Sequence, residues 1–372
     1  MDAEKKRFFT AVSVLVGTSI GAGVLAIPYV AAQAGFFVAL AYIVVLGLLV
    51  FVVNLYFGEV ILRTKGDHQI AGYAGRYLGR KGKIILEFAT IFGIYAATIA
   101  YMFGIGESLS FLIFKNSDYT LFFGVVFGIA MSGLLWKGIK SLKKFEKIGV
   151  LVILALLVAI FVIFFKDINF INFYSFNIGN IFLPFGVILF ALMSFYAIPE
   201  LQIILHKNEK QMRKVLITGT AISVIFYSIF AFVVVGVKGI QTPEIATLAL
   251  GEFFVFLGIF TLFTSYLSLG NALLENLMYD ERLRKSEAWF LTSIIPIFLF
   301  VFIRIFDFLS FTKILSVGGV VSGGLIAVSV LFMVKKAKEK GNRKPEYSVP
   351  VNWFIILFLS LIFATGVFMH LV

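Results

Sequence analysis

The chain has no cysteine, which removes disulfides, thiolate metal sites and thiol redox switching. It is also poor in charge, with Asp, Glu, Lys and Arg making up only 14% of its 372 residues. Histidine occurs three times, at His68, His206 and His370, in loops or at the chain end and away from any acid–histidine cluster. There is no GxSxG, HExxH or GxxxxGK[ST] pattern, so the residues for acyl hydrolysis, zinc proteolysis and P-loop phosphate chemistry are missing. Nothing points to an enzyme. Proline is scarce, at seven residues, and two of these recur below.

What fills the chain instead is hydrocarbon. Hydrophobic residues reach 60% and the mean hydropathy is +1.02, far outside the range of soluble domains. Stretches of about 20 apolar residues read as membrane spans. Eleven are expected, at 8–33, 36–62, 84–113, 119–136, 148–165, 181–205, 215–236, 250–278, 287–304, 310–334 and 351–371. Their connections are too short for a soluble domain, so the expectation is one all-helical unit in a lipid bilayer. Lys5-Lys6-Arg7 before an apolar run looks superficially like a signal peptide, but further spans follow at once.

The net charge of +12 is explained by topology. With the N-terminus in the cytoplasm, 27 of the 32 Lys and Arg residues fall on the cytoplasmic side. A nucleic-acid partner is not needed, and a multi-pass plasma-membrane protein with an extracellular C-terminus is expected. The loop "DHQIAGYAGRYLGRKGK" (67–83) carries a helical period of its own. Ile70, Tyr73, Ala74, Tyr77 and Leu78 share one face, predicting an amphipathic helix at the inner interface.

The first span contains "GTSIGAGVLAIP" (17–28), with three glycines in seven residues and then Pro28. Ala26-Ile27-Pro28 recurs as Ala197-Ile198-Pro199 in the sixth span, five spans later. An odd number of spans per half inverts the second half in the membrane, which predicts inverted repeats over 7–165 and 181–334 with span 351–371 added. Interrupted helices at matching places in inverted repeats mark a transport site near the midplane. A break at Ile20–Gly23 would free amides that suit a carboxylate and carbonyls that suit a cation. A zwitterionic amino acid presents both charges. The competing reading is that Gly17-x-x-x-Gly21 only packs helices together.

"GTSIGAGVLAIPYVAAQAGF" resembles the first helix of amino acid permeases in the amino acid–polyamine–organocation superfamily. Its nearest likeness is to the amino acid/auxin and bacterial aromatic amino acid permeases. "PFGVILFALMSFYAIPEL" (184–201) resembles their sixth helix and "LFTSYLSLGNALLENL" (262–277) their eighth. The resemblance implies the leucine-transporter fold, with helices 1 and 6 unwound around substrate. Site residues would then be Ser19, Gly21, Ala22 and Gly23 from helix 1, and Phe190, Ala191, Ser194 and Phe195 from helix 6, with Tyr101 as an aromatic wall. Many relatives have glycine in the sixth-helix break where this chain has Met193-Ser194, so substrate identity transfers less securely than fold.

Helix 8 carries Thr261, Thr264, Ser265 and Ser268 on one face, continued by Asn271 and Glu275. Such hydroxyls either bond their own i−4 carbonyls or line a polar path. In the resembling fold this face meets the helix 1 break around sodium. That implies carbonyls of Gly17 and Ile20, a carbonyl near Thr261, and the hydroxyls of Thr264 and Ser265 as ligands. Proton coupling is the alternative, but the relatives that replace sodium with an amine use a helix 5 lysine, and span 148–165 offers none before Lys166 at its outer end. Among intramembrane carboxylates, Glu59 and Glu200 are expected to bond freed amides of the two breaks, with proton carrying as the lesser role; Glu107 finds no obvious place. Thr242-Pro243-Glu244 has the form of a helix start and predicts a short outer helix at 243–249.

The sequence thus points to a sodium-coupled symporter of a neutral amino acid that uses no resident cofactor. The reading from another class is a channel or scaffold in which the glycines only pack. The oligomeric state is not legible.

Overall fold

The computed structural model describes residues 3–138, 142–206 and 208–371. Every regular element among them is helical. The first span is split into α1 (Ala3–Ser19) and α2 (Ala22–Ala34), which meet at 51°. The helix breaks at Gly21, whose backbone is non-helical, with φ −120° and ψ −139°, so the ladder of i→i−4 bonds ends there. Pro28 lies within α2, which continues through it.

The chain continues through α3 (Phe36–Leu62), α4 (Ile70–Phe114), α5 (Thr120–Lys137) and α6 (Leu142–Phe164). The sixth span is split as well. In it α7 (Leu183–Leu192) gives way to extended Met193, then Ser194, a 3₁₀ turn at Phe195–Ala197, and α8 (Ile198–Ile204). After α9 (Met212–Lys238) and α10 (Glu252–Tyr279), α11 (Lys285–Trp289) joins α12 (Ile295–Phe306) through a π turn. A second π turn, Gly319–Gly323, links α13 (Phe311–Gly318) to α14 (Gly324–Lys340), and α15 (Trp353–Leu371) ends the chain.

Among the described residues nine helical stretches are long and apolar enough to cross a membrane, and the bent α1–α2 pair makes a tenth. The eleventh expected span corresponds to α15. Burial orders the spans. The sixth is 83% buried over its apolar window and forms the centre, whereas the ninth, at 22%, faces outward.

Three sequence expectations change here. The amphipathic stretch is helical and ends in a kink at Gly79 (φ 75°), but its apolar face packs on protein. The Tyr73 ring meets Phe57 edge-on at 5.9 Å, and the Tyr77 and Thr64 hydroxyls are 2.7 Å apart. Asp280 accepts the N–H groups of Gln69 and Gly72 at its start, and burial raises the Asp280 carboxyl above the ordinary aspartate range.

Residues 243–249 form no α-helix. The Thr242 hydroxyl donates to the Gly239 carbonyl (2.8 Å) instead of capping a helix, and only a 3₁₀ turn, Ala246–Ala249, follows. The third change concerns Glu59. It is fully buried but bonds no freed amide of the first break. Its carboxylate accepts from Arg63 (2.8 Å), Lys338 (2.9 Å), Ser348 (2.9 Å) and the Val349 N–H (2.7 Å), tying α3 to α14 and the following loop.

Two attachments hold the halves of the first span. On the basic side the Arg7 guanidinium donates to the His206 carbonyl, at the end of α8. At the far end Asn177 N–H donates to the Ala34 carbonyl and the Asn180 amide to the Gln33 carbonyl, fixing the last turn of α2.

Candidate functional site

The two breaks face each other. A Cβ on Gly23 would stand 2.6 Å from both Cα and Cβ of Ala191, so α2 and α7 touch backbone to backbone there. The Tyr227 hydroxyl, on α9, lies 2.8 Å from the Ser19 carbonyl oxygen and 2.7 Å from that of Ala191. These are carbonyls in the last turns of α1 and α7, which a broken helix leaves short of donors. The single hydroxyl proton is shared between the two carbonyls. Across from them Asn54, on α3, donates its side-chain amide to the Ser194 hydroxyl at 2.9 Å.

Between the breaks is a small central cavity of ≈ 10 Å³, lined by Ser19, Gly21 and Gly23 of the first span, Phe190, Met193 and Tyr196 of the sixth, and Gly93, Ala97 and Tyr101 of α4. About 10–15 Å³ holds one water, so an amino acid enters only if these walls move. Gly93, Ala97 and Tyr101 recur every fourth residue and put one face of α4 against the site. A Cβ on Gly93 would fall 2.3–2.4 Å from the Ser322 and Tyr196 hydroxyls, which bond each other at 2.8 Å. The π turn thus delivers Ser322 to Tyr196, and Gly93 leaves room for the pair.

Below this point lies a funnel of ≈ 460 Å³, lined by residues including Gln69, Lys137, Glu200, Asn271 and Glu275, opening on the side rich in Lys and Arg. Thr18, Tyr196 and Leu269 belong to both spaces and form the floor between them. The opposite side is packed shut. Ile245, Ala246 and Thr247 are buried, and Glu244 accepts the Thr312 N–H at 2.9 Å, at the first turn of α13.

Beside the break, α10 approaches α1. The Ser265 hydroxyl is 3.5 Å from the Ile20 carbonyl and also pairs with the Tyr101 hydroxyl. Gly17, Thr264 and Ser268 line a second void of ≈ 10 Å³ with Gly149, Val150 and Ile153 of α6. Thr264 donates to its own helix, to the carbonyls of Phe260 (3.2 Å) and Thr261 (3.0 Å). The expected ligands therefore sit in two adjoining groups, Ile20 with Ser265 and Gly17 with Thr264. The Thr261 carbonyl is already engaged by Thr264.

A bundle with two facing broken helices, a small aromatic-walled centre and a one-sided funnel has the layout of a permease. The tryptophan/tyrosine permease family matches residues 4–249, well over half the sequence. The chain belongs to that family. It is 35% identical over 117 residues to tyrosine-specific transport system 1 of Haemophilus influenzae, and 35% identical over 107 residues to tyrosine-specific transport system 2 of the same organism. These matches span 29% and 26% of those relatives, and 31% and 28% of this chain. The whole path superposes on MHP1, a nucleobase-cation-symport-1 family transporter in a closed conformation with bromovinylhydantoin bound. The TM-score is 0.66 at 10% identity, covering 98% of this chain and 90% of that one. The fold of this permease is thus the leucine-transporter fold, and its family is one of transporters rather than enzymes.

Of the residues expected to bind substrate, Ser19, Gly21, Gly23, Tyr101 and Phe190 line the central cavity of the permease. Ala22, Ala191, Ser194 and Phe195 stand back from it: Ala191 backs Gly23, Ser194 is bonded to Asn54, and Phe195 is fully buried. Glu200 lies in the first turn of α8 and lines the funnel. Sequence reasoning passed over Asn54, Gly93, Tyr227 and Ser322. Asn54 was legible as the one Asn of its span, where Glu59 is the other strongly polar residue. Tyr227, the single tyrosine of α9, carried no signal, because nothing in that span marks the side that faces the breaks.

Proposed function

We propose that this permease carries an aromatic amino acid of the tyrosine or tryptophan class across the plasma membrane by alternating access. The observation that carries the reading is the pair of facing helix breaks around a centre walled by Phe190, Tyr101 and Tyr196. Free amides and carbonyls at the breaks suit the carboxylate and ammonium of an amino acid, and the aromatic walls suit a ring. Tyrosine-specific relatives in the same family support the substrate class.

The N-terminus lies in the cytoplasm on the positive-inside argument, and an extracellular C-terminus follows for α15 as a full span. The funnel on the basic side then opens inward, with the outer side sealed by the segment around Glu244. Sodium is the coupling ion. The Ile20 carbonyl, Ser265 hydroxyl, Gly17 and Thr264 gather uncharged oxygens beside the break, the ligand type a hard cation prefers. Among the described residues of α6, those facing Gly17 are Gly149, Val150 and Ile153.

Uptake into proteoliposomes tests the whole reading. Tyrosine, tryptophan and phenylalanine are offered with an inward sodium gradient, with a pH gradient, and with neither. Accumulation of an aromatic amino acid against its gradient only when sodium is supplied is the expected result. Accumulation driven by pH alone would reject sodium, and equilibration without accumulation would reject active transport.

A further inference from the structure

We propose that the groove between α4, α14 and α15 binds one anionic phospholipid, with its headgroup at Lys81 and Lys336. The groove measures ≈ 800 Å³, within the range of about 300–1,000 Å³ usual for small-molecule sites. Ser329 and Lys336 are its only polar lining residues, and no acidic side chain lines it. Small residues hollow it out: a Cβ on Gly324 would come 2.9 Å from Val367 of α15, and Gly82 and Ala364 add no bulk. Its rim carries Ile85 and Phe368, 45% and 64% exposed, so the opening faces the hydrocarbon that surrounds such a bundle.

The charge sits at one end. α14 ends in four lysines, Lys335, Lys336, Lys338 and Lys340, of which two have protein partners among the described residues. Lys335 lies 4.1 Å from the centre of the Trp353 ring and Lys338 pairs with Glu59. Lys336 is exposed, lines the groove and makes no ion pair among the described residues. Lys81, also exposed, is not itself part of the lining but stands one helical turn before the lining residue Ile85 and next to Gly82 on α4. Glu339, one turn beyond Lys336, is the nearest acid along α14 and is not part of the lining. Two cations that make no ion pair among the described residues, at the basic end of an apolar slot, are complementary to a phosphate carrying two acyl chains.

The site also touches the transport machinery. Val320 and Val321 of the π turn form part of the groove wall, while Ser322 of the same turn holds Tyr196 at the floor of the central cavity. A tail packed on one face of that turn bears on the other.

Native mass spectrometry of the full-length permease in detergent tests the proposal, using phosphatidylglycerol and phosphatidylethanolamine with identical acyl chains. The wild type is expected to keep one phosphatidylglycerol about 10-fold more readily than phosphatidylethanolamine. Lys81→Gln with Lys336→Gln should bring the two lipids level. Ala364→Trp, which fills the slot, should release both. Both lysines are exposed, so folding does not depend on them, and the far-ultraviolet circular dichroism of each variant checks this. Equal retention of the two lipids by the wild type would overturn the proposal, as would phosphatidylglycerol binding undiminished in the variants. The readout is lipid retention, so it stands whichever substrate or ion the permease uses.

Discussion

The Glu244 carboxylate accepts the backbone N–H of Thr312 at 2.9 Å, joining the segment after α9 to the start of α13. This bond fastens the side opposite the basic face, onto which the funnel opens. Losing such a cap costs about 1 kcal/mol, or roughly fivefold in a two-state equilibrium. Glu244→Ala should therefore populate the outward-open form. Because the chain has no native cysteine, Thr247→Cys offers a clean probe at a buried outer position. Its labelling rate by an impermeant thiol reagent should rise in the Glu244→Ala background. An unchanged rate would make the contact an ordinary surface turn.

Tyr227→Phe should lower stability more than removal of one methyl-sized group would suggest. The phenol is the side-chain donor to the Ala191 carbonyl and also reaches that of Ser19. Leaving one buried acceptor unpaired costs about 1–3 kcal/mol. A thermal unfolding scan should show a clear drop in midpoint. An unaltered midpoint would mean that water takes the place of the hydroxyl.

The two break glycines are predicted to fail differently. A Cβ at Gly21 would meet the Tyr101 hydroxyl at 2.8 Å and Ser265 at 3.3 Å, all at the site itself. One at Gly23 would strike the Ala191 backbone at 2.6 Å. Gly21→Ala should weaken substrate binding at nearly native stability. Gly23→Ala should destabilise the fold by about 1–3 kcal/mol through overpacking of α2 on α7. Paired binding and melting measurements separate the outcomes, and equal stability losses would refute the distinction.

Thr264→Ala combined with Ser265→Ala should abolish the sodium stimulation of uptake while leaving the permease folded. If these hydroxyls only serve packing, stability falls by about 0.6–2 kcal/mol per lost interhelical bond and the sodium dependence survives. Reciprocal measurement adds a check, because sodium that tightens substrate binding must itself bind tighter when substrate is present.

Much of the architecture was readable because apolar length and Lys/Arg asymmetry are properties of whole segments. The breaks were readable for a related reason, since Gly21 and the Ala-Ile-Pro pair are local departures from a uniform background. Partners were not. As an intramembrane carboxylate on the second span, Glu59 reads as a partner for the first break, whereas Lys338 and Val349, nearly 300 residues later, hold it. Thr242 has a capping residue's identity, but its hydroxyl turns back to Gly239, and no sequence pattern records that choice. Gly23 matched the rule for close ligand approach equally well, although its nearest neighbour is another helix.

The bond from Arg7 to the His206 carbonyl has a mechanical consequence. It ties the free end of α1 to the free end of α8, so the basic-side halves of both broken helices share one fastening. Meanwhile α2 is pinned at Gln33 and Ala34 by Asn180 and Asn177. Any motion that widens or shuts the mouth must carry α1 and α8 as one lever or snap that fastening. The pivot then falls at Gly21 on one arm and at Met193–Ser194 on the other, the two places where the backbone has already given up its helical bonds.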